Sequence, residues 1–180
     1  QKIKTWADIR KSMIEGLVSS LINQRLSELT QKENPPFLFA NSNFSPFLRG
    51  YSSFTSFAVL SKGTVNDAID ALMQETNRAR QFGFLQTELD RAKASMLNSA
   101  DKAVKEKDKS ESGRIISEYI NNFLSGTPVP GVVHRYNFLK EVLPTISLAE
   151  INTVAKGMPS TTNAFTMVQA PASMKDKLPD

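Results

Sequence analysis

The chain has 180 residues, with 22 Lys and Arg against 18 Asp and Glu, a net charge of +4, one His and no Cys. A chain of this length holds one domain with a real core, and 40% hydrophobic with 22% charged residues is a folded rather than a disordered composition. The absence of Cys excludes a disulfide framework, a thiolate zinc finger and a Cys nucleophile, and a single His excludes a two-imidazole zinc site within the chain.

The chain opens on Gln1 rather than Met and enters a helical pattern within a few residues. It is therefore expected to be an internal piece of a longer protein, residues 1–180 forming one domain. No apolar run reaches the roughly 18–20 residues of a membrane-spanning helix. The first element is a long amphipathic helix from Thr5 to about Gln31. Trp6, Ile9, Met13, Leu17 and Leu21, with Ile14, Val18, Ile22, Leu26 and Leu29 on the flanks, recur at steps of three and four. Thr5 and Asp8 form a near capping box. Asn34-Pro35-Pro36 stops the helix. At ~1.5 Å per residue it is ~38 Å long, against a radius of gyration of ~16 Å for a globule of this size. The helix must cross the whole domain.

Two strands follow, Phe37 to about Phe44 and about Tyr51 to Leu60. In the second, Phe54, Ser56, Ala58 and Leu60 share one face, and Ser53, Thr55, Phe57 and Val59 the other. Ser45 to Gly50 is expected to be a turn or irregular edge linking a hairpin that Lys62-Gly63 closes. Thr64 with Asp67 starts a helix that turns Val65, Ile69, Leu72 and Met73 inward and ends near Gly83. Thr87 with Asp90 starts another, with Leu89, Ala92, Met96 and Leu97 facing the core. Ile115, Ile116, Tyr119, Ile120, Phe123 and Leu124 define a helix stopping at Gly126. After the turn Thr127–Gly131, a shorter helix from about Val132 carries Tyr136, Leu139, Val142 and Leu143. Ser147 with Glu150 is a full capping box for a helix ending at Lys156-Gly157. Asn163 to Ala170 is expected to be a last strand. The order α-β-β-α-α-α-α-α-β predicts an α+β fold.

Few groups suggest chemistry. His134, the only imidazole, has no Gly-x-Ser-x-Gly turn to serve, and is expected to be structural or solvated. Asp101 to Arg114 mixes five basic with four acidic residues, the pattern of a solvated face or helix–helix joint. The remaining Lys and Arg are scattered and the Phe are spaced as core residues, so no nucleic-acid surface is expected. No phosphate-binding glycine motif is present. Glu88/Asp90 and Glu106/Asp108 are two apart and point in different directions on a helix. From the residues alone, this is an α+β domain without a self-contained catalytic site.

Three stretches in series resemble the pitrilysin/insulinase family of zinc metallopeptidases, which includes relatives of mitochondrial processing peptidase. Leu26-Ser27-Glu28-Leu29 closing the long helix, followed by an extended segment from Phe37, is similar to the family's R-L-x-x-E-L-R-E-K-x-G-L-A-Y. Phe82-Gly83-Phe84-Leu85-Gln86-Thr87-Glu88-Leu89-Asp90-Arg91-Ala92-Lys93 resembles its G-x-T-x-x-E-L-x-R-A-K. Leu143-Pro144-Thr145-Ile146-Ser147-Leu148-Ala149-Glu150-Ile151 resembles its later I-T-x-x-D-I. The likeness runs from about Thr5 to Ala170.

The resemblance implies an αβ sandwich of the metallohydrolase type, helices on a mainly antiparallel sheet, with the N-terminal strand or strands absent from this piece. It implies a protease of several such domains enclosing a chamber, one of which carries H-x-x-E-H and zinc. This sequence has no H-x-x-E-H. The resemblance therefore implies a non-catalytic, chamber-forming domain, with zinc only in the full enzyme. Its partners would be a catalytic domain of the same polypeptide and peptide substrates, with neither nucleic acid nor membrane. Bacterial members suggest a periplasmic or exported location. The family's non-catalytic half often supplies an Arg and a Tyr to the zinc-site wall. Here those positions hold Thr30 and, nearby, Phe37, so no catalytic, cofactor-binding or metal residue carries over. This favours an architectural domain beside the catalytic one. The alternative is a stand-alone scaffold or protein-interaction module of the same fold, without protease activity.

Overall fold

Helix α1 (Trp6–Leu29) begins where Thr5 and Asp8 satisfy each other. The Asp8 amide donates to the Thr5 hydroxyl at 3.2 Å, and the Thr5 amide donates to the Asp8 carboxylate at 2.9 Å. Two donors that a helix start leaves over are thereby paired. The structure is a computed structural model and describes residues 5–48, 51–60, 64–109, 112–158 and 163–173. The expected start at Gln1, the Arg49-Gly50 end of the hairpin link and the Lys62-Gly63 closure lie outside those residues.

The apolar stripe of α1 does what its spacing predicts. Ile14, Leu17, Val18, Leu21, Ile22 and Leu26 are all buried. One flank of the helix packs on a hairpin and the other on three further helices, so α1 is the axis of the domain. The hairpin is β1 (Phe39–Leu48) and β2 (Tyr51–Val59), antiparallel, with Ala40 opposite Ala58, Ser42 opposite Ser56 and Phe44 opposite Phe54. These even-numbered residues face inward, as the alternation requires. Asn23 of α1 fixes the hairpin against the helix. Its carboxamide accepts from the Ser42 amide at 2.7 Å and donates to the Ser42 carbonyl at 3.0 Å. Both backbone groups of Ser42 are thus taken by α1, and this stretch of β1 is closed to a further strand. Strand β1 runs to Leu48 rather than ending near Phe44, with its register broken between Pro46 and Leu48. An edge strand tolerates Pro46, which has no N–H to give to a ladder.

Behind α1 lie α2 (Val65–Phe82), α3 (Gln86–Lys105) and, after two further helices, α6 (Leu148–Lys156). The Thr64/Asp67 and Ser147/Glu150 capping boxes are both formed. Three expectations need correction here. Helix α3 starts two residues before the expected Thr87/Asp90 box. The Leu85 amide donates to the Glu88 carboxylate at 2.7 Å, and Glu88 is in turn held by an arginine of α1. On α2 the fully buried positions are Ala68, Thr76 and Ala79; of the expected inward residues Leu72 packs against the core from its edge, while Met73 is 39% exposed. Small side chains let the helix come close, and the larger ones stand at the edge of the contact. The Phe residues are not all core: Phe37 and Phe84 are buried, but Phe47, Phe82, Phe123 and Phe165 are each more than 60% exposed.

The connection from α3 passes through a single 3-10 turn, Lys107–Lys109, to α4 (Ser112–Ser125), then α5 (Gly131–Val142). α5 packs on α3 and buries Leu139, with Leu143 just beyond. The last expected strand does not form. Residues 163–170 have no ladder partner among the described residues, and Phe165 and Met167 are about 80% exposed. Alternation makes a segment able to be a strand, but only a neighbouring edge makes it one. The architecture is α+β, six α-helices with a two-stranded antiparallel sheet among the described residues.

Candidate functional site

Two groups of polar side chains among the described residues tie the helices to one another. Arg25, on the buried face of α1, makes two hydrogen bonds to the Glu88 carboxylate, 2.8 Å from Nε and 2.9 Å from Nη2. The same Nη2 donates to the Gly83 carbonyl at 3.1 Å, and the guanidinium lies 4.6 Å from the centre of the Phe84 ring. Burial alone would raise the Glu88 carboxyl. The hydrogen bonds from Arg25 and the Leu85 amide, with the charges of Arg25 and Arg78, outweigh it and hold the carboxyl below its ordinary value.

Gly83 turns the corner between α2 and α3 with φ +72°, where a side chain is strained, and a Cβ there would fall 2.5 Å from Asn152 Oδ1. That close approach lets the Asn152 amide accept from the Phe84 N–H at 2.8 Å, tying the corner to α6. Neither pair leaves an open acceptor beside a nucleophile, so this knot positions helices and carries no chemistry.

A second lock joins the start of α1 to α6. The Arg10 guanidinium pairs with Glu150 through both carboxylate oxygens and also donates to the Thr145 carbonyl. The hydrogen bond from Arg10, then that from the Ser147 backbone, holds the Glu150 carboxyl down at about 2, against an ordinary value of 4.5. A depressed carboxylate stabilises the fold above its unfolded value and loses that contribution as pH falls through its folded one. Stability is therefore expected to fall from pH 4.5 toward about 2 on account of Glu150. The side chain is 37% exposed, so the contribution is about 1 kcal/mol or less after screening. Glu150→Gln keeps a capping-box residue and should flatten this segment of the curve. Thermal midpoints of both proteins across the acid range test this; parallel curves would refute it.

The residues singled out by sequence are dispersed. His134 lies exposed on α5, beside Arg135, which faces Glu118 of α4 at 3.7 Å. Thr30 caps the end of α1, its hydroxyl donating to the Ser27 carbonyl at 2.7 Å, and Phe37 is a core residue. Glu88 and Asp90 do point apart: Asp90 is exposed and accepts from Gln86 at 2.8 Å. Among the described residues, no three His, Asp or Glu side chains gather closely enough to share a metal ion.

What remains is surface. One open groove of about 480 Å³ runs along a single face of α3, over Arg91, Ser95, Asn98, Ser99 and Lys102. A smaller depression of about 240 Å³ lies between Leu97 of α3 and Leu139, Leu143 and Pro144. Neither brings together a nucleophile and a base. The most apolar exposed element is α4, where Ile115, Ile116, Tyr119, Ile120, Phe123 and Leu124 are all 45% or more exposed. Sequence reasoning found that face but not its exposure, because periodicity tells which side of a helix is apolar and not what covers it. It also passed over Asn23 and Arg25. Their signal was polarity placed inside an apolar helical stripe.

No family model matches the chain. It is 28% identical over 150 residues to a protein of Arabidopsis thaliana named zinc protease PQQL-like, a match covering 83% of this chain and 13% of that protein. Its fold superposes on the periplasmic protease PqqL of Escherichia coli with a TM-score of 0.80 and 21% identity, over 88% of this chain and 18% of that one. A structure described as an insulinase family protease from Yersinia pestis superposes with a TM-score of 0.71 and 13% identity, over 87% of this chain and 34% of that one. The chain thus spans 13% of the length of the PQQL-like protein.

Proposed function

Because this chain is a domain of the pitrilysin/insulinase family of zinc proteases, we propose that it is a non-catalytic, chamber-forming domain of a zinc-dependent endopeptidase. Residues 1–180 act as one architectural unit of the metallohydrolase-type sandwich, whose sheet is extended by strands from elsewhere in the polypeptide. Peptide-bond hydrolysis belongs to a neighbouring domain with H-x-x-E-H. The observation that carries this reading is the pairing of zinc-protease relatives with a donor set that does not fit zinc. The one imidazole, His134, stands exposed on α5, and no three potential ligands converge on it among the described residues. No step of hydrolysis is therefore assigned to this chain.

The partners of this reading are the catalytic domain of the same polypeptide and, in the chamber, peptide substrates. Zinc belongs to that catalytic domain. A periplasmic or exported location is part of the proposal, supported by the periplasmic protease among the solved structures that share the fold. No helix among the described residues is long and apolar enough to cross a membrane.

The 180-residue chain is expected to bind no stoichiometric zinc and to cleave no peptide, while the longer polypeptide does both. Metal analysis and a peptide-cleavage assay with and without a chelator test the two together. One tight zinc per 180-residue chain, with chelator-sensitive cleavage, would overturn the assignment. A longer polypeptide without either property would favour the scaffold reading instead.

A further inference from the structure

We propose that the exposed apolar face of α4 is a docking surface for another domain of the same polypeptide. This deepens the functional reading and rests on it in one respect, that the chain is one domain of a longer protein. Helix α4 is strongly two-sided. Ile115, Ile116, Tyr119, Ile120, Phe123 and Leu124 follow one another at steps of one, three and four along one side, and Phe123 is 88% exposed. Glu118 points the other way, toward Arg135 of α5 at 3.7 Å, so the polar side is tethered to the domain and the apolar side faces outward. None of the main helix–helix or helix–sheet packings of the described residues involves α4. Six large apolar side chains in one continuous stripe exceed the scattered exposure that a surface normally shows, and such a stripe marks a contact.

Three occupants could cover it, and the chemistry separates them. A lipid surface selects helices whose polar side is rich in Lys and Arg, and the only basic residue of α4 is Arg114. A second copy of this chain would have to be held by the stripe itself. A free-standing complex of that kind is stable when it buries about 800 Å² per partner, which a single helix of 14 residues reaches only if nearly all of its exposed apolar side-chain surface is covered. A domain joined through the backbone needs much less, because tethering supplies an effective concentration in about the millimolar range. The chain spans 13% of the PQQL-like protein and 18% of the PqqL structure, so relatives of this domain have ample tethered chain to supply the cover.

The test uses the longer polypeptide that carries this domain. Phe123→Cys on the apolar side and Ser117→Cys on the polar side are compared for the rate of maleimide labelling under native conditions. Both sites fall in the single tryptic peptide 115–135, so labelling is read by mass spectrometry whatever cysteines lie elsewhere. Labelling at position 123 is expected to be at least about tenfold slower than at position 117, at a rate independent of protein concentration. Equal rates overturn the proposal. Protection that vanishes on dilution assigns the face to a second copy, and protection that needs anionic vesicles assigns it to a membrane; either overturns it. Zinc content and peptide cleavage are measured on the same samples. Protection without zinc or cleavage retains the docking surface and removes the protease reading, and cleavage with an unprotected position 123 does the reverse.

Discussion

Arg25→Ala is expected to lower the free energy of unfolding by about 3–5 kcal/mol, a large part of the about 5–15 kcal/mol that a domain typically has. The size follows from where the charge sits. The side chains of Arg25 and Glu88 are only 10% and 14% exposed, so removing one leaves the other with little water to replace it. An exposed pair would be worth only about 0–1 kcal/mol. Arg25 also holds the Gly83 carbonyl and covers Phe84, so its loss loosens the corner between α2 and α3 as well as the contact with α1. Glu88→Ala should cost a similar amount, because it leaves a guanidinium buried and also removes the acceptor for the Leu85 amide at the start of α3. The informative variant is the double replacement Arg25→Met with Glu88→Leu. With neither charge to desolvate, it should recover most of the loss, to within about 1–2 kcal/mol of the parent. Urea unfolding of the four proteins compares the two single losses with the recovery in the double replacement. A cost below 1 kcal/mol for either single replacement would show that water reaches the pair and that the helices are held by apolar contacts alone.

Phe37→Ala is expected to cost about 3–5 kcal/mol by the same measurement, through a different mechanism. Phe37 is 1% exposed in a core that includes Leu17, Leu21, Ile22 and Leu26 of α1. It stands where the chain leaves Pro35-Pro36 and enters β1, and the next residue's amide already bonds the Val59 carbonyl at 2.8 Å. The backbone is thus anchored on one side and stiffened by two prolines on the other, and it cannot collapse into the space that an alanine would leave. Phe37→Leu should cost much less. Equal and small costs for both would mean that the entry to β1 moves freely enough to refill the cavity.

These two residues show how far the sequence could be read. The long helix was legible because ten apolar residues recur at its period and its first residues cap themselves; each of those signals is local and is kept in the structure. The hairpin was legible for the same reason, since alternation sorted Phe54, Ser56 and Ala58 onto the inner face. Arg25 was not. A basic residue within an apolar stripe reads as a solvated interruption until its partner, 63 positions away, is known. In the sequence Glu88 is one of two carboxylates two positions apart, which fixes their divergence on one helix and says nothing about what faces it.

The segment 163–170 and the helix α4 mark the limit from the other side. Both carry the right pattern for an element, alternating in one and amphipathic in the other, but among the described residues the first has no ladder partner and the second turns its apolar face outward. The pattern of a strand or of an apolar helix face is written in consecutive residues. Whether a surface meets it is decided by chain that is distant or in another domain.

By itself, then, the sequence determined the order of the hairpin and the six helices, the inward faces of α1 and β2 and three helix caps, because each depends on residue type and short spacing. Tertiary structure alone decided that Arg25 and Glu88 form a buried pair, that Asn23 closes β1 against α1, that most of the phenylalanines are not core, and that α4 turns its apolar side outward. Those outcomes depend on which distant surfaces meet, and burial is a property of the meeting rather than of the residue.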